Sequence, residues 1–276
     1  MTNYIDLHSH LHDKAFDEDR DKIIIEMEKA GVITITVGTD YEESQKAVEL
    51  AQNSSAIFAC VGMHPVDNRN EEFIKERYLD LAKNVKVVAI GECGLDYFRL
   101  EEDKKAGFFL HDEDEKERQK KIFAAQVELA VEVDKPLMLH GRPSKGSMDA
   151  YDDMLEIIRQ AKHIHGDKVR GNFHFFVGNT HIAERILNLH FTMSFSGVIT
   201  FAKEYEEVVR FVPLDMMHAE TDSPYVSPAI YRGKRNQPLY VSEVIAKIAE
   251  IKVKEVIEVK KQLLQNSFRV FGLTDK

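Results

Sequence analysis

The chain reads as an α/β protein folded as one (β/α)8 barrel, and three observations predict it. Short apolar β-rich runs alternate with longer amphipathic charged runs nearly end to end. Eight strand candidates occur in 276 residues, roughly 35 residues per unit, which is the arithmetic of a barrel whose usual size is about 250 residues. A doubly wound open sheet is the runner-up, weakened because no Gly-x-Gly-x-x-Gly follows the first strand candidate.

In order, the strands are expected at Tyr4 to His8, Val32 to Val37, Ile57 to Val61, Val85 to Gly91, Pro136 to His140, Val169 to His174, Phe191 to Ser194 and Met216 to Glu220. Helices with apolar residues at helical spacing fall between them, at Arg20 to Ala30, Glu42 to Gln52, Glu72 to Ala82, Glu115 to Val133, Met148 to Lys162 and Thr180 to Leu187. Val241 to Leu264 gives two more, the last barrel helix and a cap. Phe98 to Asp114, with its Gly107-Phe108-Phe109-Leu110 run, is expected to be an extended loop or lid after the fourth strand. No linker or low-complexity segment divides the chain, so residues 1–276 are expected to form a single domain.

Composition narrows the function. With 43% apolar and 30% charged residues and only 14 Gly and 7 Pro, collagenous and disordered classes are excluded. No apolar stretch approaches a membrane span, and Met1 to Asp6 has neither a basic nor an apolar leader region, so a cytoplasmic location is expected. Cys60 and Cys93 are then expected to stay thiols. The charge, 37 basic against 47 acidic residues, is −10, which removes the simplest argument for a nucleic-acid binder. If phosphate is the target, a local site must attract it. The oddity is 12 histidines with no tryptophan.

In such a barrel the chemistry sits where strands end and βα loops begin. Strand one ends in Asp6-Leu7-His8-Ser9-His10, and two histidines two apart in extended chain point to one side. Strand four ends in Gly91-Glu92-Cys93-Gly94-Leu95-Asp96-Tyr97, placing a carboxylate near the barrel interior, where an unpaired charge is costly without a cation. Strands five and six end in His140 and His174, and strand eight in Glu220-Thr221-Asp222-Ser223-Pro224-Tyr225. Each residue alone has a bland explanation: a core histidine, a helix cap, a turn glutamate. Together they place His8, His10, Glu92, His140, His174 and Asp222 on one rim. Six ligands suit two adjacent divalent ions bridged by Glu92, an arrangement that activates a water and clamps both oxygens of an in-line phosphoryl displacement. Four imidazoles and two carboxylates suit Zn, Mn, Fe or Co as readily as Mg. His64, in Val61-Gly62-Met63-His64-Pro65 at the end of strand three, also faces the rim and is read as a substrate contact or as a residue supporting the ligands from behind. A basic loop, Arg232-Gly233-Lys234-Arg235-Asn236-Gln237-Pro238, follows strand eight, and Arg232, Lys234 and Arg235 are candidate phosphate contacts with Arg142. The other histidines, His12 among them, are read as bystanders.

In order and context these segments, with Gln126 to Ala130, His140-Gly141-Arg142 and Asn266-Ser267, resemble the TatD-type metal-dependent hydrolases over essentially the whole chain. The resemblance implies a metal-dependent deoxyribonuclease with exonuclease action on DNA and sometimes RNA. Carried over residue by residue, it implies one metal held by His8, His10, Glu92 and Asp222 and a second by Glu92, His140 and His174. Where the family usually has His-Cys-Phe-Ser-Gly this chain has His174-Phe175-Phe176-Val177-Gly178, and Pro143-Ser144-Lys145 follows Arg142. These departures touch the substrate groove more than the metals. The expected activity is therefore a two-metal (Mg, Mn or Zn) phosphodiesterase acting on single-stranded DNA ends or RNA, with Glu92 and Asp222 catalytic and Asp222 the general base. The alternatives are a bimetal hydrolase of a small amide, ester or phosphoester, and a metal-stabilised binding barrel without turnover. No membrane and no obligatory protein partner is expected.

Overall fold

A computed structural model describes residues 2–69, 71–108 and 111–273. Among these residues eight strands pair in parallel, in chain order: β1 (Tyr4–Ser9), β2 (Val32–Val37), β3 (Ile57–Val61), β4 (Val87–Asp96), β5 (Leu137–Arg142), β6 (Gly171–Phe173), β7 (Thr192–Phe195) and β8 (Met217–Ala219). Parallel neighbours require a crossover, and helices supply it. They are α1 (Arg20–Ala30), α2 (Tyr41–Gln52), α3 (Lys75–Ala82), α4 (Leu100–Lys105), α5 (Asp112–Glu132), α6 (Asp149–His165), α7 (Thr180–Asn188), α8 (Glu206–Phe211), α9 (Val241–Lys252) and α10 (Val256–Phe271). The seam between β8 and β1 closes through a Ser9–Ser223 bridge, with the Asp222 N–H donating to the His8 carbonyl (2.8 Å) and the His10 N–H to the Ser223 carbonyl (2.7 Å). The result is the (β/α)8 barrel that the alternation predicts.

Local chemistry accounts for the elements. Every residue of β2, Val-Ile-Thr-Ile-Thr-Val, is β-branched and stiff in the extended form. Asp40 opens α2 by accepting the Glu43 N–H at 2.8 Å, Asn179 opens α7 by accepting the Ile182 N–H at 3.0 Å, and Gly31 ends α1 at φ 68°. The larger apolar core packs the helices onto the outer faces of the strands, from Met27 and Val48 round to Ile248 and Leu263. A smaller one joins strand residues Ile5, Leu7, Ile35, Val37, Cys60 and Met138 to Phe271 and Leu273 near the end of the chain. Both cysteines are buried free thiols. No helix of the described residues is long and apolar enough to cross a membrane.

Three differences from expectation matter. β4 does not stop at Gly91; it pairs with β5 as far as Asp96↔Arg142, so Glu92 lies within the strand. The expected loop at Phe98 to Asp114 contains α4, and α5 already begins at Asp112; Phe109 and Leu110 fall outside the described residues. The third is α8, a six-residue helix before β8 that no periodic run announces.

Candidate metal centre

The strand ends put their side chains at one mouth of the barrel. His8 and His10 leave β1 with their Nε2 atoms 3.3 Å apart, and His10 Nδ1 meets the Val37 carbonyl at 2.8 Å. β4 can carry Glu92 between them and the far side only because glycines flank it. Gly91 and Gly94 stand at φ 149° and 144°, and a Cβ at Gly94 would lie 2.0 Å from the His140 carbonyl oxygen. Glu92 is buried, and its two oxygens divide the site. Oε2 faces His8 (3.4 Å) and His10 (3.8 Å), whereas Oε1 lies 2.8 Å from both His140 Nδ1 and His174 Nε2. Those two nitrogens are 3.3 Å apart. Asp222, in the left-handed region at φ 54°, directs Oδ1 to 3.5 Å from His10 and 3.6 Å from His8.

These separations test whether cations fit. Atoms bound tetrahedrally at about 2.1 Å sit roughly 3.4 Å from each other. The His8–His10, His8–Glu92, His8–Asp222 and His10–Asp222 distances of 3.3 to 3.6 Å match that spacing, with His10–Glu92 wider at 3.8 Å; His140–His174 at 3.3 Å matches too, while the 2.8 Å contacts of Glu92 to those two rings are hydrogen-bond distances. His8, His10 and Glu92 form one group able to hold a cation, and Glu92, His140 and His174 another.

Electrostatics agree. Burial opposes charge on every ring and on the carboxylate. At His10 the bonded Asp222 and the charge of Glu92 outweigh burial and lift the ring to about 9; Asp96 and Glu92 do the same for His140, to about 9. His174 is also held well up, chiefly by Glu92, while burial and the His174 charge push His8 down to about 4. Glu92 stays far below the ordinary carboxylate range despite its burial, held there by His174, His64 and His8. The centre thus holds its anions ionised by storing protons on imidazoles, and a cation bound there would take the place of those protons.

The site lines a cleft of about 820 Å³. His64 belongs to it, with Nε2 3.7 Å from Glu92 and Nδ1 3.1 Å from Asp67. Arg142 lines it as well, its guanidinium 4.0 Å over the Phe98 ring. The basic loop does not reach it. Arg232, Lys234 and Arg235 are absent from the lining. Arg235 pairs with Asp19 at 2.7 Å, stacks over Phe16 and donates to the Ala15 carbonyl, while Arg232 covers Phe201. The loop serves the centre through Asn236, whose buried amide donates to the Thr221 (2.8 Å) and Tyr225 (2.6 Å) carbonyls and so braces the Asp222 turn. The cations that do line the cleft with Arg142 are Arg99 and Lys145.

Sequence reasoning also passed over three residues beside the ligands. Asp96 Oδ2 lies 3.4 Å from His140 Nε2, and Glu220 Oε1 lies 3.4 Å from His174 Nδ1. His12, buried between Thr36 (2.7 Å) and Glu43 (3.1 Å), lines the cleft. The only signal for His12 was its place two residues past His10, one further step of the same alternation.

Comparison with known proteins follows the same line. The family model described as TatD related DNase matches residues 5–272. YabD of Bacillus subtilis, an uncharacterized metal-dependent hydrolase, is 35% identical over 277 residues, covering 97% of this chain and 98% of its own. YcfH of Escherichia coli K12, described in the same words, is 34% identical over 226 residues, covering 81% and 77%. The crystal structure of YJJV, a TatD homologue of Escherichia coli K12, superposes with a TM-score of 0.83 at 25% identity over 99% of both chains. A TatD family hydrolase of Entamoeba histolytica shares the fold, at a TM-score of 0.81 and 22% identity over 99% of both chains. With a ligand cluster on the rim of an eight-stranded barrel and a family match across that whole barrel, the chain belongs to the TatD family of metal-dependent hydrolases.

Proposed function

We propose that this chain hydrolyses phosphodiester bonds with two divalent ions and trims the ends of single-stranded DNA. One observation carries the reading: Glu92 offers one oxygen to the His8–His10 pair and the other to the His140–His174 pair, as a carboxylate shared by two ions does. Divalent ions held by His8, His10, Glu92 and Asp222 and by Glu92, His140 and His174 would supply a water of lowered pKa and charge neutralisation for the phosphoryl oxygens. The protein's own groups do the rest. Asp222, whose side chain is 14% exposed against 5% for Glu92, opens to the cleft and takes the proton of the attacking water. Arg142, held by Phe98, meets the non-bridging phosphate oxygens, and Arg99 and Lys145 extend the positive wall. His64 donates to the phosphate from beside Glu92. Phe98 and Tyr225, 44% and 54% exposed at the cleft, present faces on which unpaired bases stack. The TatD related DNase description supports the choice of DNA.

Incubation with 3′-labelled and 5′-labelled single-stranded DNA under Mg, Mn or Zn tests this. The expected result is immediate release of labelled mononucleotide from one end label and a shortening ladder from the other. Intact DNA alongside turnover of an ester or phosphotriester panel would move the activity to small molecules. Ion uptake with no turnover on any substrate would leave a binding barrel.

A further inference from the structure

Each imidazole has two nitrogens, and a neutral ring that gives one to a cation must carry its proton on the other. That rule fixes what the outer nitrogens of the ligand histidines must do. His10 presents Nε2 to the centre and Nδ1 to the Val37 carbonyl at 2.8 Å. His140 presents Nδ1 to Glu92 and His174 presents Nε2, so their outer atoms are His140 Nε2 and His174 Nδ1. Both outer atoms are buried, and each has one acceptor nearby: Asp96 Oδ2 at 3.4 Å and Glu220 Oε1 at 3.4 Å. Asp96 Oδ2 is itself buried and has no other hydrogen-bond partner among the described residues.

We infer that Asp96 and Glu220 are positioning residues for the cation site formed by Glu92, His140 and His174. Each accepts the outer N–H of one ligand histidine, and together they strengthen that site's hold on its ion. The inference rests on the two-ion reading above. Its logic is one of charge. The His8–His10 site has two carboxylates facing it, the shared Glu92 and Asp222; His10 turns its outer nitrogen to a neutral carbonyl, and the outer nitrogen of His8 is buried with no hydrogen-bond partner among the described residues. The His140–His174 site has only the shared Glu92 facing it, and both outer partners are carboxylates. A carboxylate on the outer nitrogen orients the ring and raises its basicity, which is worth about 10- to 100-fold in affinity.

Both carboxylates are anchored for this task. Asp96 uses Oδ1 to accept the N–H groups of Phe98 (3.0 Å) and Arg99 (3.3 Å), leaving Oδ2 for His140. Glu220 accepts the Phe175 N–H at 2.7 Å and the Ser194 hydroxyl. His64, Asp96 and His140, and likewise His8, His174 and Glu220, also converge closely enough to hold a cation. Those uses would require His140 or His174 to give up both ring protons, and the single-proton assignment avoids it.

The test is calorimetric titration of the metal-free protein with Zn, repeated with Co to read its d–d spectrum, for the parent, Asp96→Asn and Glu220→Gln. The parent is expected to take up two ions per chain with distinct affinities. In Asp96→Asn, one of the two affinities should fall about 10- to 100-fold while the other stays, with a changed Co spectrum and an unchanged far-ultraviolet circular dichroism of the metal-free protein. Glu220→Gln should weaken the same ion. Two unaltered affinities in Asp96→Asn overturn the inference. A parent that binds three ions, with one lost in Asp96→Asn, overturns it too by making Asp96 a direct ligand. A parent that binds one ion defeats the two-ion reading instead, and none of these results depends on which substrate is cut.

Discussion

At the scale of single residues, Glu92 is the group with nothing to spare, since each of its oxygens serves a different imidazole pair. In Glu92→Gln an amide nitrogen, which cannot ligate, replaces one oxygen. Metal-dependent cleavage should fall more than about 100-fold, beyond the loss of an outer partner, with the circular dichroism of the fold intact. Asp222→Asn should do the same, and full activity in either variant would remove that residue from the mechanism. A second residue-scale prediction concerns His218, buried in β8 between Ser267 Oγ (3.1 Å) and Thr192 Oγ1 (3.0 Å). Burial, aided by the Arg269 charge, pushes it from 6.5 down to about 3, so the unfolded chain binds a proton there that the folded chain refuses. Its contribution is complete above pH 6.5 and is lost as pH falls toward 3, on the order of 4 kcal/mol in full. Urea unfolding from pH 7 to 4.5 should therefore show a shallower decline for His218→Gln than for the parent; equal slopes would place the acid sensitivity elsewhere. The six rim residues were legible because strand ends are where a barrel exposes unusual side chains. Which nitrogen each ring turns inward, and the Asp96 and Glu220 pairings behind them, were not, because they follow from register between strands distant in sequence.

Among the elements, β4 does most to build the centre. The ladder to β5 continues past Glu92 only where Gly94 lets the two backbones close up, so Gly94→Ala forces a Cβ into the His140 carbonyl at a φ that alanine resists. Strain and overpacking together should cost about 3 kcal/mol or more, seen as a lower denaturant midpoint, and metal uptake should weaken because His140 is displaced. A wild-type midpoint would mean that the strands separate there freely. α5 supplies the bracing from outside. Gln126 accepts the Met63 N–H (2.7 Å) and donates to its carbonyl (2.9 Å), fixing the residue before His64, and Gln119 grips the Asp96 backbone the same way at 2.9 and 3.1 Å. Regular elements were readable where one period dominates: β2, β3 and α1 run where the pattern puts them. The pattern cuts β4 short because Gly91 to Asp96 carries two glycines and two acids and looks like a turn until β5 lies beside it. α4 and α8, six residues each, are too short for a helical period to register. The basic loop misled for another reason. Its charge was visible, but the partners that engage it, Asp19 and Phe16, lie far away in sequence.

For the molecule as a whole, the net charge of −10 opposes polynucleotides, and the cations that line the cleft are Arg99, Arg142 and Lys145. Three cations against that background should hold single-stranded DNA more weakly than the roughly 10⁻⁴ to 10⁻⁶ M of ordinary non-specific binders. Fluorescence anisotropy of the parent protein with a cleavage-resistant phosphorothioate single strand should show binding that appears with divalent ions and disappears with a chelator; tight binding in the chelator would show that the protein surface alone suffices. The overall architecture was the most legible level, since eight repeats of one pattern leave few ways to close a sheet. The manner of closure was not. β8 and β1 meet through His8, Ser9, His10, Asp222 and Ser223, the segments that also bear ligands, so the barrel is fastened at the place where it would work. This ties activity to the order of synthesis: a growing chain exposes His8 and His10 first and Asp222 more than two hundred residues later. A chain that stops before its eighth strand has neither a closed wall nor a finished rim, so closing the barrel and completing the centre are one event.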